Sequence, residues 1–250
     1  MRRLLPLLLL CLTLSPLLAE PAKPAPGTQV AQEFTTTLAD GKKASMSYWL
    51  YLPANADAKD VKLPFVLFLH GSGERGTDLA LVKKHGPPSL AGTGKNKDME
   101  GCVIVSPQCP DKQWWDTKLL KLLCDDIVKT QPVDPNRLYV TGLSMGGFGT
   151  WSLLAENPDF FAAGVPICGG GETKTAPAFK HVPVWAFHGA KDSAVPVKGS
   201  EEMIAALEKA GGKPKLTIYP DEDHASWVPA YNDPALWTWL VAQQKPAAKP

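Results

Sequence analysis

Beyond Pro64 the chain settles into a rhythm of short, nearly unbroken apolar runs separated by longer stretches of mixed polarity. The runs are FVLFL (65–69), CVIVS (102–106), RLYVTG (137–142), AGVPIC (163–168), VPVWAFHG (182–189) and KLTIYP (215–220). A strand with one solvated face alternates apolar and polar residues. These runs do not alternate, which fits strands buried on both faces, as in a parallel sheet covered by helices. Helical periodicity occupies 117–130, 145–156, 199–210 and 234–244. Strands and helices in alternation imply right-handed crossovers and a doubly wound α/β sheet. Upstream, FTTTLADGKKASMSYWLYLP reads as two strands about an Asp40-Gly41 turn, an antiparallel hairpin ahead of the parallel part. Ligands of such sheets bind beyond the carboxyl ends of the strands, so the loops there are where chemistry is expected.

Composition narrows the class. The 250 residues are 44% hydrophobic and 20% charged, with a formal net charge of +1. That is ordinary for a folded globular chain, and the charge balance argues against nucleic acid as a partner. The opening MRRLLPLLLLCLTLSPLLAE has two arginines, an apolar stretch interrupted by Pro6 and Pro16, and then small residues. It reads as a cleaved secretory signal over residues 1–19, followed by a Pro/Ala-rich leader at 20–28. A secreted or periplasmic protein, free of the membrane after cleavage, is therefore expected. Residues 29–244 are read as one folded domain and 245–250 as a disordered tail. In an oxidising compartment Cys102, Cys109, Cys124 and Cys168 are free to pair in three ways, and buried free thiols fit the apolar runs equally well. No cysteine or histidine spacing suggests a metal site, and none is expected.

One loop carries a specific pattern. After RLYV comes TGLSMGGFGTW and then a helical run, which sets Gly142-Leu143-Ser144-Met145-Gly146 at a strand-to-helix turn. This is the G-x-S-x-G arrangement, in which a sharp turn lifts a serine hydroxyl above the sheet at a helix N-terminus. A hydroxyl needs a base, and the base needs an orienting acid, in chain order Ser, acid, His. Of the three downstream histidines, His181 precedes a strand at the wrong end of the sheet. His188 ends a strand and reads as a structural residue of its loop. His224 follows the last strand and is taken as the base. Asp192, in the loop HGAKDSAVP after the penultimate strand, is taken as the acid. Asp221, Glu222 and Asp223, adjacent to His224, read as a solvated acidic loop. The turn His70-Gly71-Ser72-Gly73 supplies backbone donors, so Ser72 and Met145 N–H groups are the expected oxyanion pair. Glu74 and Arg75 are expected to brace that turn. In PQCPDKQWWDT, Trp114 and Trp115 are candidates for an aromatic wall, with Trp115 as the expected substrate contact and Trp227 as packing for the histidine loop.

Taken together, HGSGERG, GLSMGG, HGAKD followed by Val-Pro, and DEDHASW resemble the α/β-hydrolase superfamily. More narrowly, they resemble secreted feruloyl and acetylxylan esterases, polyhydroxyalkanoate depolymerases and prolyl-oligopeptidase-like catalytic domains. The resemblance runs from about residue 30 to 243. It implies an α/β-hydrolase fold, a Ser144–Asp192–His224 triad and acyl-enzyme chemistry without a cofactor. The short segment GGGETKTAPAFKH leaves no room for a large lid, which suggests an open site. The implied activity is a serine carboxylesterase acting as a monomer on a small-molecule or polysaccharide-linked ester, with feruloyl and acetyl groups as candidates. A peptidase or acyltransferase on the same triad is the alternative. A non-catalytic binding protein on this scaffold is disfavoured, because no triad member is missing.

Overall fold

The structure is a computed structural model, and the residues it describes are 25–246. The expected signal segment 1–19 lies outside the described residues, as do 20–24 of the leader and 247–250 of the tail. Two strands open the fold: β1 (Gln29–Thr37) and β2 (Lys43–Tyr51). They pair antiparallel from Gln29 opposite Tyr51 to Thr37 opposite Lys43. The turn between them closes through Leu38 N–H to Lys42 O, with Gly41 at φ 82° as the required left-handed residue. There follow β3 (Leu63–Leu69), the short helices α1 (Pro87–Leu90) and α2 (Lys97–Glu100), β4 (Val103–Pro107), α3 (Thr117–Thr130), β5 (Val133–Leu143) and α4 (Met145–Glu156). The chain continues with β6 (Ala163–Ile167), α5 (Ala176–Phe179), β7 (Trp185–Gly189), α6 (Lys198–Lys209), β8 (Lys215–Tyr219), α7 (Trp227–Asn232) and α8 (Pro234–Val241).

The eight strands of the described residues form one sheet in the order β1-β2-β4-β3-β5-β6-β7-β8. The β1–β2 and β2–β4 pairs are antiparallel, and every pair from β4–β3 to β7–β8 is parallel. The fold is thus the mostly parallel, doubly wound sheet with an N-terminal hairpin that the pattern implied. Strand β3 shows why its run is continuous. Phe65, Leu67 and Leu69 pack into one core with Leu123, Trp151, Phe179 and Leu207. Val66 and Phe68 pack into a second core with Tyr139, Ile167, Phe187 and Trp237. With helices on both faces, no position of β3 is left for a polar residue.

Several boundaries differ from the pattern, each for a local reason. The seventh strand begins at Trp185 rather than at Val182, since Pro183 has no N–H to give a ladder. The long segment 70–102 holds 3₁₀ turns at Ser72–Glu74 and Leu79–Lys84 besides α1 and α2. Pieces this short carry no readable period. Parts of the expected leader and tail are tied down: Gly27 N–H donates to Leu52 O at 2.8 Å and Lys245 N–H to Asn136 O at 2.9 Å. Between β6 and β7 only a 3₁₀ turn and the four-residue α5 intervene, so no helical lid is inserted there. Cys102, Cys109, Cys124 and Cys168 are all buried and unpaired, so there is no disulfide among the described residues. No helix among them is long and apolar enough to cross a membrane.

Candidate active site

The turn from β5 into α4 is built around backbone that tolerates no side chain. A Cβ on Gly146 would collide with Leu69 O of the neighbouring strand, and one on Gly142 with Gly146 O. Between them Ser144 is held at φ 52°, ψ −118°, a region that ordinary residues rarely visit. Its N–H lies 3.0 Å from Ile167 O and 3.2 Å from Cys168 Sγ, which pin it to the end of β6. Its carbonyl accepts from Phe148 N–H at 3.1 Å and so starts α4. The strain is thereby offset by the elements on either side, and Ser144 sits half-buried at the positive end of a helix.

The loops after β7 and β8 deliver its partners. They are stitched together by Ala190 N–H to Tyr219 O at 2.9 Å and Lys191 N–H to Glu222 O at 3.0 Å. His224 Nε2 stands 2.9 Å from Ser144 Oγ, and His224 Nδ1 stands 2.7 Å from Asp192 Oδ2. The other carboxylate oxygen accepts from Ala194 N–H at 2.9 Å and Val195 N–H at 2.8 Å. Burial alone would push the Asp192 carboxyl up. The hydrogen bond from His224, the two backbone N–H groups and the His224 charge outweigh it and hold the group below the usual carboxylate range. An acceptor-only carboxylate at this place fixes the hydrogen of His224 on Nδ1 and leaves Nε2 free to accept from Ser144. The edge of Trp227 meets the His224 ring at 5.3 Å and 88°, which packs the loop as its position suggested.

The neighbouring acids have other uses. Asp221 is exposed and pairs with Lys191 at 2.8 Å, and Asp223 accepts from Ala225 N–H at 2.9 Å. His181 is exposed beside Pro158 O, away from the site. His188 is buried and bonded to Ser200 and to the acid loop itself.

The turn after β3 lies against Ser144: a Cβ on Gly71 would stand 3.6 Å from Ser144 Cβ. Ser72 is exposed, and neither its N–H nor that of Met145, an unpaired amide of the first helical turn, donates to a described residue. The turn itself is braced. Glu74 Oε2 accepts from Gly71 N–H at 3.0 Å, Arg75 Nε donates to Ser72 O at 3.0 Å, and Arg75 Nη1 donates to Gln113 O at 3.1 Å. His70 anchors it from below, with Nδ1 donating to Gly71 O at 2.6 Å and Nε2 accepting from Cys109 N–H at 3.0 Å. Burial lowers the His70 ring to about 4, so it is neutral near pH 7, as its acceptor role requires.

Trp115, expected to touch substrate, does not face the cleft. It is only 8% exposed, gives its indole N–H to His70 O at 3.3 Å and stacks obliquely on the His70 ring at 4.7 Å. Gly149 on α4 makes room for it, since a Cβ there would lie 2.9 Å from Trp115 Cδ1. The exposed indole of the pair is Trp114, at 65%, edge-on to Phe148 at 6.0 Å and 90°. Phe148 stands one helical turn beyond Ser144.

Cys168, Asp192 and His224 offer ligand atoms within 4.8 Å of one another, the candidate metal cluster among the described residues. Burial pushes the Cys168 thiol up to about 12, which leaves it protonated, and the other two members are engaged with each other. The arrangement can activate a serine hydroxyl, move its proton and present two N–H groups to a developing oxyanion.

Residues 112–238, just over half of the chain and the stretch holding Ser144, Asp192 and His224, match the family model "Dienelactone hydrolase family". The chain belongs to the dienelactone hydrolase family. Among curated relatives, a putative carboxymethylenebutenolidase of Salmonella typhimurium is 33% identical over 115 residues, 40% of this chain and 42% of that protein. A bifunctional acetylxylan esterase/xylanase of Neocallimastix patriciarum is 29% identical over 153 residues, 57% of this chain and 22% of that one. A solved thermostable esterase superposes with a TM-score of 0.74 at 31% identity, covering 86% of this chain and 63% of the other. The chain thus spans less than half the length of these two curated relatives and somewhat less than two thirds of that esterase. Within the dienelactone hydrolase family it has the α/β-hydrolase fold.

Proposed function

We propose that this chain is a serine carboxylesterase, exported through the segment 1–19. The observation that carries the reading is the hydrogen-bonded chain Ser144 Oγ, His224 Nε2/Nδ1 and Asp192 Oδ2, at 2.9 and 2.7 Å. Ser144 Oγ attacks the ester carbonyl carbon while His224 Nε2 takes its proton, and Asp192 stabilises the resulting imidazolium. The carbonyl oxygen, now anionic, is received by the N–H groups of Ser72 and Met145. The carbon–oxygen bond to the alcohol breaks as His224 returns the proton to the departing oxygen. Water then repeats the sequence on the acyl-enzyme, with His224 as base, and releases the acid and Ser144.

Feruloyl and acetyl esters of plant polysaccharide are the substrates this reading favours. An acetylxylan esterase stands among the relatives. The exposed Trp114, with Phe148 beside Ser144, offers an aromatic face to a phenolic acyl group or a sugar ring. Replacing Ser144 with Ala is expected to lower kcat on p-nitrophenyl acetate by roughly 10⁴-fold or more, with an unchanged melting temperature. A folded S144A protein that kept its activity would overturn the assignment. Rates on methyl ferulate, acetylated xylan and short acyl esters then choose the substrate class.

A further inference from the structure

The loop that carries Asp192 is held by a second histidine, and its contacts reach the carboxylate. His188 is the next-to-last residue of β7, and its side chain is fully buried. Its Nε2 lies 2.9 Å from Val195 O, an atom that only accepts, so Nε2 carries a hydrogen. The same Nε2 lies 3.3 Å from Asp192 Oδ2, the oxygen that receives His224 Nδ1 at 2.7 Å. On the other side, Nδ1 meets Ser200 Oγ of α6 at 2.7 Å, and that hydroxyl lies 3.0 Å from Gly169 O. Gly169 packs against Gly147 and Phe148 in the first turn of the nucleophile helix. A single buried ring therefore ties the acid loop to the helix that carries Ser144.

We propose that His188 is a positioning residue for the triad, which aims Asp192 Oδ2 at His224 and tempers its negative charge. The proposal rests on the triad reading above. Two imidazoles converge on one carboxylate oxygen, and only one of them reaches the serine. The Val195 carbonyl held by His188 belongs to the residue whose N–H binds Asp192 Oδ1, so ring and backbone together fix both oxygens. Losing Nε2–H would let the carboxylate rotate and would remove a positive dipole end from Oδ2. A more negative Asp192 stabilises the His224 imidazolium more strongly, so the base would hold its proton to higher pH.

The other groups around this pair are few. From the residue just after β6 comes the Cys168 thiol, which burial keeps protonated. From the loop after β8 come Glu222 and the exposed Asp221 and Asp223, and from the acid loop comes Lys191, already paired with Asp221. From α6 only the neutral Ser200 hydroxyl faces the ring.

The test compares His188→Leu, His188→Gln and Ser200→Ala with the intact chain on p-nitrophenyl acetate across pH. Leu removes the donor, and kcat is expected to fall about tenfold to a hundredfold with KM unchanged, while the acidic limb of the pH profile moves upward. Gln restores an N–H toward Val195 O and is expected to recover most of the rate and return the limb. If the Leu protein fails to fold, Ser200→Ala carries the decision, with a smaller loss of kcat and the same upward limb. A folded variant with an unmoved limb, or Leu and Gln proteins equally impaired in step with their melting temperatures, overturns the proposal. An intact chain without esterase activity would instead fail the triad reading.

Discussion

Trp114 and Trp115 are neighbours in one loop, yet they belong to different parts of the molecule. Trp115 is locked between His70 and α4 and helps hold the turn beside Ser144. Trp114 stands in solvent with a single aromatic contact, Phe148. The contrast extends to the whole site. Its reacting centre is fixed by buried backbone, by glycines that cannot change and by a fully buried carboxylate. Its proposed outer wall is the exposed indole of Trp114. Machinery and selection are therefore separable, and one can be altered without the other.

The largest expected break lies on the buried side. Replacing Trp115 with Ala should cost about 3–5 kcal/mol of stability, read from denaturant unfolding, because it empties a packed site under the turn after β3. Acid probes the same support. The His70 ring titrates near 4 when folded, well below the ordinary histidine value of 6.5 in the unfolded chain. Its contribution is complete above pH 6.5 and is lost as pH falls toward 4, because the unfolded chain then takes up a proton that the folded one refuses. Up to about 3 kcal/mol should disappear over that window. His85, also lowered chiefly by burial, adds in the same direction, whereas the stabilisation from the lowered Asp192 carboxyl is complete above the ordinary value of 3.8 and is lost only as pH falls below it. A melting temperature flat between pH 6.5 and 4 would contradict this account. The smallest effect belongs to the outer wall. Trp114→Ala should leave stability within about 0.5 kcal/mol while raising KM for methyl ferulate about threefold to tenfold, with p-nitrophenyl acetate little changed. Equal effects of the two Trp substitutions on stability would erase the distinction.

The same division governs what could be read in the sequence. The helices at about 117–130 and 145–156 were legible because strong local signals bound them: Asp116 caps the first, and a glycine-flanked turn starts the second. Ser144, Asp192 and His224 were legible because each lies in the loop after a readable strand, and topology brings such loops to one edge. The choice between Trp114 and Trp115 was not legible. Both are large and apolar in a loop without period, and only Gly149 of a distant helix and the carbonyl of His70 decide which is buried. The state of the four cysteines and the short turns of segment 70–102 depend likewise on tertiary contacts. His188 lay between these cases. Its spacing of four from Asp192 was visible, but its approach to the oxygen used by His224 exists only in three dimensions.

The central claim is that Ser144 is the atom-bearing nucleophile activated by His224. Treating the protein with a fluorophosphonate and mapping the adduct by mass spectrometry tests it most directly. A single adduct on Ser144 that is lost in His224→Ala is the predicted result. An active protein labelled at another residue, or not labelled at all, would contradict it.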